Sequence, residues 1–276
     1  MHRWAKKIHC YWINEYLPLD SNEVTDEELS EDEDTNIIAG DKLYKLGPLI
    51  KHCNKVFASY YHGTRELSID ESMIIFKGRN SMKQYNPLKL IKRGYKSFGL
   101  GERVVLHLTK DECNKNIKTF FDNYFTSLPL IEKLKAENSL ACGTIRSNRK
   151  DVPVLDEDSK APRGSSDYRI TNSGIYKWKD TKYVMLASNY HGSELTTVTR
   201  KDKFGRKKDM QCPQVVRDYN CYMGGVDHAD QLRMTYGVDR KSKKWWHRIF
   251  WGLLDIMFAI SSVSFLAEVE TNKGIA

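Results

Sequence analysis

The sequence predicts an α/β fold, a mixed sheet flanked by helices with a β-rich segment placed after its first part. Three observations carry that expectation. Between residues 41 and 145, short apolar strand-like runs alternate with segments of helical spacing, the pattern of strands and crossover helices in one sheet. Residues 151–211 turn polar and hold the strand-like pieces YRITN, GIYKW and YVMLAS. From residue 215 the spacing is helical again.

Residues 1–20 read as a helix and a turn ending at Pro18, and 21–36 as a solvated acidic linker. Over 41–61, Leu43, Leu46, Leu49, Ile50, Cys53, Val56 and Phe57 share one helical face. ELSIDESMIIF, 66–76, reads as a strand: Leu67 and Ile69 alternate with polar residues and the apolar character resumes at Met73. The loop GRNSMKQYNP follows, then a short strand in RGYKSFGL, and a short helix over 102–108. KNIKTFFDN predicts a strand over 117–121 with Asp122 at its carboxyl end. Ser127 is placed as an N-cap and Pro129 in the first turn of a helix reaching Ala136. LACGTI is another strand, followed by basic RSNRK. RKDKFGRKK is read as a cationic loop, and 215–236 as a helix broken at Gly224 and Gly225. These elements divide the chain into a helical N-terminal segment (1–62), the first part of the sheet core (63–150), a β-rich insertion (151–212) and a helical C-terminal part (213–276).

With 40% hydrophobic and 29% charged residues over 276 positions, the chain is neither wholly disordered nor a multi-span membrane protein. Segment 249–267 is apolar with Asp255 as its one charge, but that charge and three serines make it a buried core helix rather than a span. The six cysteines (Cys10, Cys53, Cys113, Cys142, Cys212 and Cys221) form no CxxC and no zinc spacing with histidine, so free thiols are expected and no structural zinc. The N-terminus lacks a signal-peptide pattern. Lys and Arg number 44 against 36 acids, yet eight acids lie in 21–36, leaving a net +16 elsewhere. A surplus of that size favours polyanions, nucleic acid first and an anionic membrane second.

Asp70 and Asp122 stand at the carboxyl ends of strands, where open α/β sheets carry their catalytic groups. In GGVDHADQL, Asp227 and Asp230 are three apart and share a helical face. Carboxylates from separate elements suit hard divalent cations, and two such ions can clamp the attacking and leaving oxygens of a phosphodiester displacement. Each of these residues also has the plain reading of a cap or a surface group. After Asp70, Lys77, Arg79, Lys83, Lys92, Arg93 and Lys96 interleave with Tyr85, a mixture suited to phosphate contact and base stacking. Arg146, Arg149 and Lys150 follow the third strand, and Lys243, Lys244 and Arg248 adjoin Trp245 and Trp246. A solvated basic face is the plain alternative for each.

LSIDESMIIFKGRNSMKQYNPLKLIKRGYK, GERVVLHLT, TFFDNYFTSLPLIEKL, CGTIRSNRKDVP, YKWKDTKYVMLAS, RDYNCYMGGVDHADQLRMTY and KKWWHRIFWGLLDI occur in that order across most of residues 40–265. In this set the chain resembles the transposase domain of the piggyBac family and its host-domesticated relatives. The resemblance implies an RNase H-like core interrupted by an insertion domain before the last acidic helix. It maps the family's catalytic aspartates onto Asp70, Asp122, Asp227 and Asp230. These would coordinate Mg²⁺ or Mn²⁺ as a two-metal site for cleavage of a transposon end, hairpin formation and joining to TTAA. The implied partner is double-stranded DNA, the implied location the nucleus; a homodimer stays open.

The chain also departs from the family pattern. Residues 96–99 run almost directly into 100–102, where family members carry a further strand pair, so one hairpin of the sheet is expected to be missing. The N-terminal DNA-contacting region is short, and no Cys/His-rich zinc module follows. These departures keep a second expectation alive, a domesticated or degenerate relative that binds DNA without cutting it.

Overall fold

The computed structural model of the chain describes residues 46–60, 65–76, 78–79, 83–87, 92–96, 101–110, 113–155, 161–237, 240, 242 and 244–273. The readings of 1–20 and of the acidic linker lie outside them. In order, the elements are α1 (Gly47–Tyr60), β1 (Glu66–Ile69), β2 (Met73–Ile75), β3 (Gln84–Tyr85), β4 (Arg93–Lys96), α2 (Gly101–Thr109), β5 (Lys118–Phe121), α3 (Leu128–Ala136) and β6 (Leu140–Thr144). They continue with β7 (Ser166–Ile170), β8 (Gly174–Lys179), β9 (Tyr183–Ser188), β10 (Leu195–Lys201), β11 (Lys207–Pro213), α4 (Gln214–Tyr222), α5 (Gly225–Thr235) and α6 (Trp245–Lys273).

Six strands form one mixed sheet in the order β1-β5-β6-β9-β8-β7. β1, β5 and β6 run parallel, and β9, β8 and β7 continue the sheet antiparallel. Residues 151–212 therefore supply three strands to the same sheet as β1, plus the separate hairpin β10–β11. The consecutive residues Phe120 and Phe121 show how the layers form. A strand turns successive side chains to opposite faces. Phe121 packs with Val104 and Val105 of α2 and Leu130, Ile131 and Leu134 of α3. Phe120 packs on the other face with Tyr176, Trp178, Leu186 and Val215 and Val216 of α4. Both phenylalanines are fully buried, which accounts for an apolar pair where a one-faced strand would alternate. The expected cap holds: Ser127 Oγ accepts from the Leu130 amide at 3.3 Å, with Pro129 in the first turn.

The single strand expected over 66–76 is two. β1 belongs to the large sheet, while β2 joins β4 and β3 in a three-stranded antiparallel sheet. The chain changes sheets across Asp70, Glu71 and Ser72, and β2 packs through Ile74 and Phe76 against Leu46 and Ile50 of the α1 region and Ile249 and Leu253 of α6. α6 is thus packed as core helix where it is described, and no helix among the described residues is long and apolar enough to cross a membrane. The expected cationic loop is a paired hairpin, with Leu195 opposite Pro213 and Lys201 opposite Lys207. Its lysines suggested a loop, but Thr196-Thr197-Val198-Thr199 is a β-branched run, and Val198 tucks inward with Met210. Cys53, Cys113, Cys142, Cys212 and Cys221 are free thiols.

Candidate functional site

Parallel pairing decides where the first two carboxylates go. Ile69 is in register with Phe121, so Asp70 and Asp122 leave the same end of the sheet on neighbouring strands, whose backbones run about 5 Å apart. Asp70 is 9% exposed, and its Oδ1 accepts the Glu71 amide at 2.7 Å. Asp122 is half-buried, and its Oδ1 accepts the Tyr124 amide at 2.8 Å. The Asp122 carbonyl accepts from Thr126 Oγ1 at 2.7 Å, closing the loop behind it. Gly143 on β6 leaves the room for that loop: a Cβ there would stand 2.8 Å from the Phe121 carbonyl oxygen and would collide with Thr126 Oγ1. Burial pushes the Tyr219 hydroxyl well above its usual range, and the charges of Asp122 and Asp70 push it further, against the Thr144 hydrogen bond. The charges of both acids thus reach the Tyr219 hydroxyl on α4.

The other two acids lie on α5, which packs beside β1. Asp227 is exposed in its first turn. Asp230 is 8% exposed, and its Oδ1 accepts Ser72 Oγ at 2.5 Å and Arg233 Nη2 at 3.0 Å. Arg233 is 5% exposed and its Nη2 also donates to the Met73 carbonyl oxygen. Asp230 thus ties α5 to the turn between β1 and β2. Among the described residues, no three His, Cys, Asp or Glu side chains gather as a metal-holding group.

The basic residues fall into three places. Arg146 Nε donates to Asn123 Oδ1 at 3.1 Å and Arg149 Nη2 to the Asn123 carbonyl at 3.0 Å, so both flank the loop after Asp122, with Lys150 exposed beside them. On the small sheet, Tyr85 is 61% exposed with the Arg93 guanidinium 5.4 Å from its ring centre; Arg79 and Lys92 are exposed and Lys83 Nζ donates to the Gly78 carbonyl. Lys96 ends β4. Lys244 is exposed and Arg248 half-buried at the start of α6, which packs on that small sheet. Lys77 and Lys243 lie outside the described residues.

Sequence reading missed Tyr219, Ser72 and Arg233, and a buried network on β9 and α4. Ser188 Oγ lies 2.7 Å from His191 Nδ1, His191 Nε2 lies 3.2 Å from Asp218 Oδ2, and Gln214 Nε2 donates to Asp218 Oδ1 at 2.7 Å. Ser188 is fully buried, so this is a fastening and not a nucleophile site. Burial alone would raise the Asp218 carboxyl; the hydrogen bond and charge of His191, with Gln214 and Lys118, outweigh it and hold the group below its ordinary value. The Arg233 spacing from Asp230 was the one local signal available.

A family profile described as Transposase IS4 matches residues 16–102 and 97–259. The human PiggyBac transposable element-derived protein 3 is 29% identical over 88% of this chain and 48% of its own length. The human PiggyBac transposable element-derived protein 2 is 27% identical over 79% of this chain and 43% of its own. Among solved structures, the cryo-EM structure of a piggyBac transposase synaptic complex with hairpin DNA is similar, with a TM-score of 0.67 and 26% identity over 84% of this chain and 52% of that one. The chain spans about half the length of these relatives.

Proposed function

The chain belongs to the IS4 transposase family, of the piggyBac type, and from that premise we propose that it is a duplex-DNA-handling transposase domain whose Asp70 and Asp122 are presented to a phosphodiester. The observation that carries this reading is the parallel register, which sets two carboxylates side by side at one sheet edge with Arg146 and Arg149 on the adjoining loop. Arginines there suit the phosphates of a strand laid across the acids. An α/β sheet with this edge supports the RNase H-like core that the resemblance implies.

The donor set can be weighed against the implied Mg²⁺ or Mn²⁺. Asp70 and Asp122 fit one hard cation that completes its shell with water and phosphate oxygens. A bound cation there would polarise the phosphate and stabilise the developing charge on its oxygens. Asp230 spends its Oδ1 on Arg233 and Ser72, so it would reach a second ion only through its Oδ2. Asp227, in the exposed first turn of α5, is the remaining acid of the family set. End cleavage, hairpin formation and joining at TTAA are the reaction this reading assigns to the complete site; nuclear location follows from a chromosomal substrate.

A second reading, binding without cutting, draws support from the same Asp230 pair and from β1. β1 is an edge of its sheet, and the strand that follows it belongs to another sheet. That position agrees with a missing hairpin beside the strand that carries Asp70. A plasmid-nicking assay in Mn²⁺ with Asp122→Ala as control separates the two. Nicking that the substitution abolishes supports a cutting domain; DNA binding with nicking at the control level supports a relative that only binds.

A further inference from the structure

We propose that the β10–β11 hairpin is a second DNA contact, a ribbon whose tip enters a groove of the duplex; this rests on the reading that the chain binds duplex DNA. The hairpin is braced from its middle to its last ladder rung. Trp178 Nε1 donates to the Gln211 carbonyl at 3.0 Å and Arg163 Nη1 to the Lys201 carbonyl at 2.8 Å, while Arg200 stacks over Trp178 and pairs with Asp180 at 3.4 Å. Beyond that brace the tip is built as a rigid turn. Asp202 Oδ1 accepts the amides of Phe204 and Arg206, both at 2.8 Å, and Gly205 takes a φ of +78° that a side chain would strain. The acid nearest the tip is thereby engaged with backbone donors.

Around that turn bases dominate: over residues 200–209 six Lys and Arg stand against Asp202 and Asp209, the latter accepting Thr199 Oγ1 at 2.6 Å. Lys201 faces Lys207 and Arg200 faces Lys208 across the ladder. Like charges directly opposite destabilise a strand pair, so the fold bears a repulsion that a bound polyanion would relieve. Lys201, Lys203, Lys207 and Lys208 are exposed, and none of them makes an ion pair among the described residues. At the end stands Phe204, 83% exposed, with the Arg206 guanidinium 5.8 Å from its ring centre. An apolar ring at the tip of a cationic two-stranded ribbon suits insertion into a groove with lysines on the flanking phosphates. A receptor for extended basic peptides suits it less, because the backbone of Lys201, Lys207 and Lys208 is already paired in the ladder.

Fluorescence anisotropy of the whole chain with a labelled random-sequence duplex, across salt from about 50 to about 200 mM, tests this. Replacing Lys201, Lys207 and Lys208 by Ala should flatten the log–log salt slope by about 2–3. Phe204→Ala should weaken binding about tenfold with the slope kept. Phe204→Ala should melt as the parent does, since that side chain is exposed, and the lysine variant should melt no lower, since it removes like-charge pairs. A parent chain that does not bind duplex sinks the DNA reading itself. A parent that binds, with variants that bind equally, overturns the hairpin assignment alone. So does displacement by poly-glutamate at matched charge together with an unchanged Phe204→Ala, which would make the tip a site for an acidic protein.

Discussion

The parallel and antiparallel halves of this molecule concentrate charge by opposite means. In the parallel half, neighbouring strands run the same way, so residues just past their ends meet at one edge, and Asp70 and Asp122 become neighbours although 52 positions separate them in the chain. In the hairpin, antiparallel pairing sets residues close in sequence face to face, and Lys201 meets Lys207. The first device gathers acids that a cation can join. The second gathers bases that only an anion can join. On the reading proposed above, both serve the same partner, duplex DNA.

The comparison breaks most sharply at Asp230, whose Oδ1 is held by the buried Arg233 guanidinium. Arg233→Met should cost about 3–5 kcal/mol in urea unfolding, because a buried carboxylate loses its partner. Adding Asp230→Asn should recover much of that loss. If the single substitution is nearly neutral, the pair is not what ties α5 to the turn after β1.

A smaller effect is expected at Gly143, where an Ala side chain must displace the Phe121 carbonyl or Thr126. Gly143→Ala should cost about 1–3 kcal/mol and shift the loop that carries Asp122, measured as lost stability together with weakened Mn²⁺ binding. An unchanged melt would show that the β6 strand does not set that loop.

In the antiparallel half the Asp218–His191 pair gives a pH signature. The Asp218 carboxyl sits below its ordinary value, so its contribution is fully present above the ordinary carboxylate range. It is lost as pH falls through the depressed value. Stability measured from neutral pH down to about pH 3 should drop more in the parent than in Asp218→Asn; equal slopes would contradict the pairing. The smallest effect belongs to the hairpin. Lys201→Glu should raise stability by about 0.2–1 kcal/mol by replacing a like-charge pair while weakening duplex binding. A stability loss would show that the cross-strand charges do not repel.

Much of this was legible because it was local. Ser127 with Pro129 announces α3, and TFFDN announces a buried strand with an acid at its end. What escaped was long-range. Nothing in ELSIDESMIIF says that Ile69 will pair with Phe121 while Met73 pairs with Lys96 in another sheet. Strand propensity is indifferent to which sheet a strand joins. The hairpin was missed because six bases in RKDKFGRKK outweighed the β-branched run before them. For the site, the sequence and the resemblance selected four acids. The fold sets Asp70 and Asp122 at one edge and ties Asp230 to the turn that follows Asp70, through Ser72, whose role no spacing could announce.

Titration calorimetry with Mn²⁺ tests the central claim, that Asp70 and Asp122 share one cation. The account predicts saturable binding to the parent chain, retained in Asp230→Ala and abolished in the Asp70→Ala, Asp122→Ala double variant. Binding that persists unchanged in the double variant would contradict it.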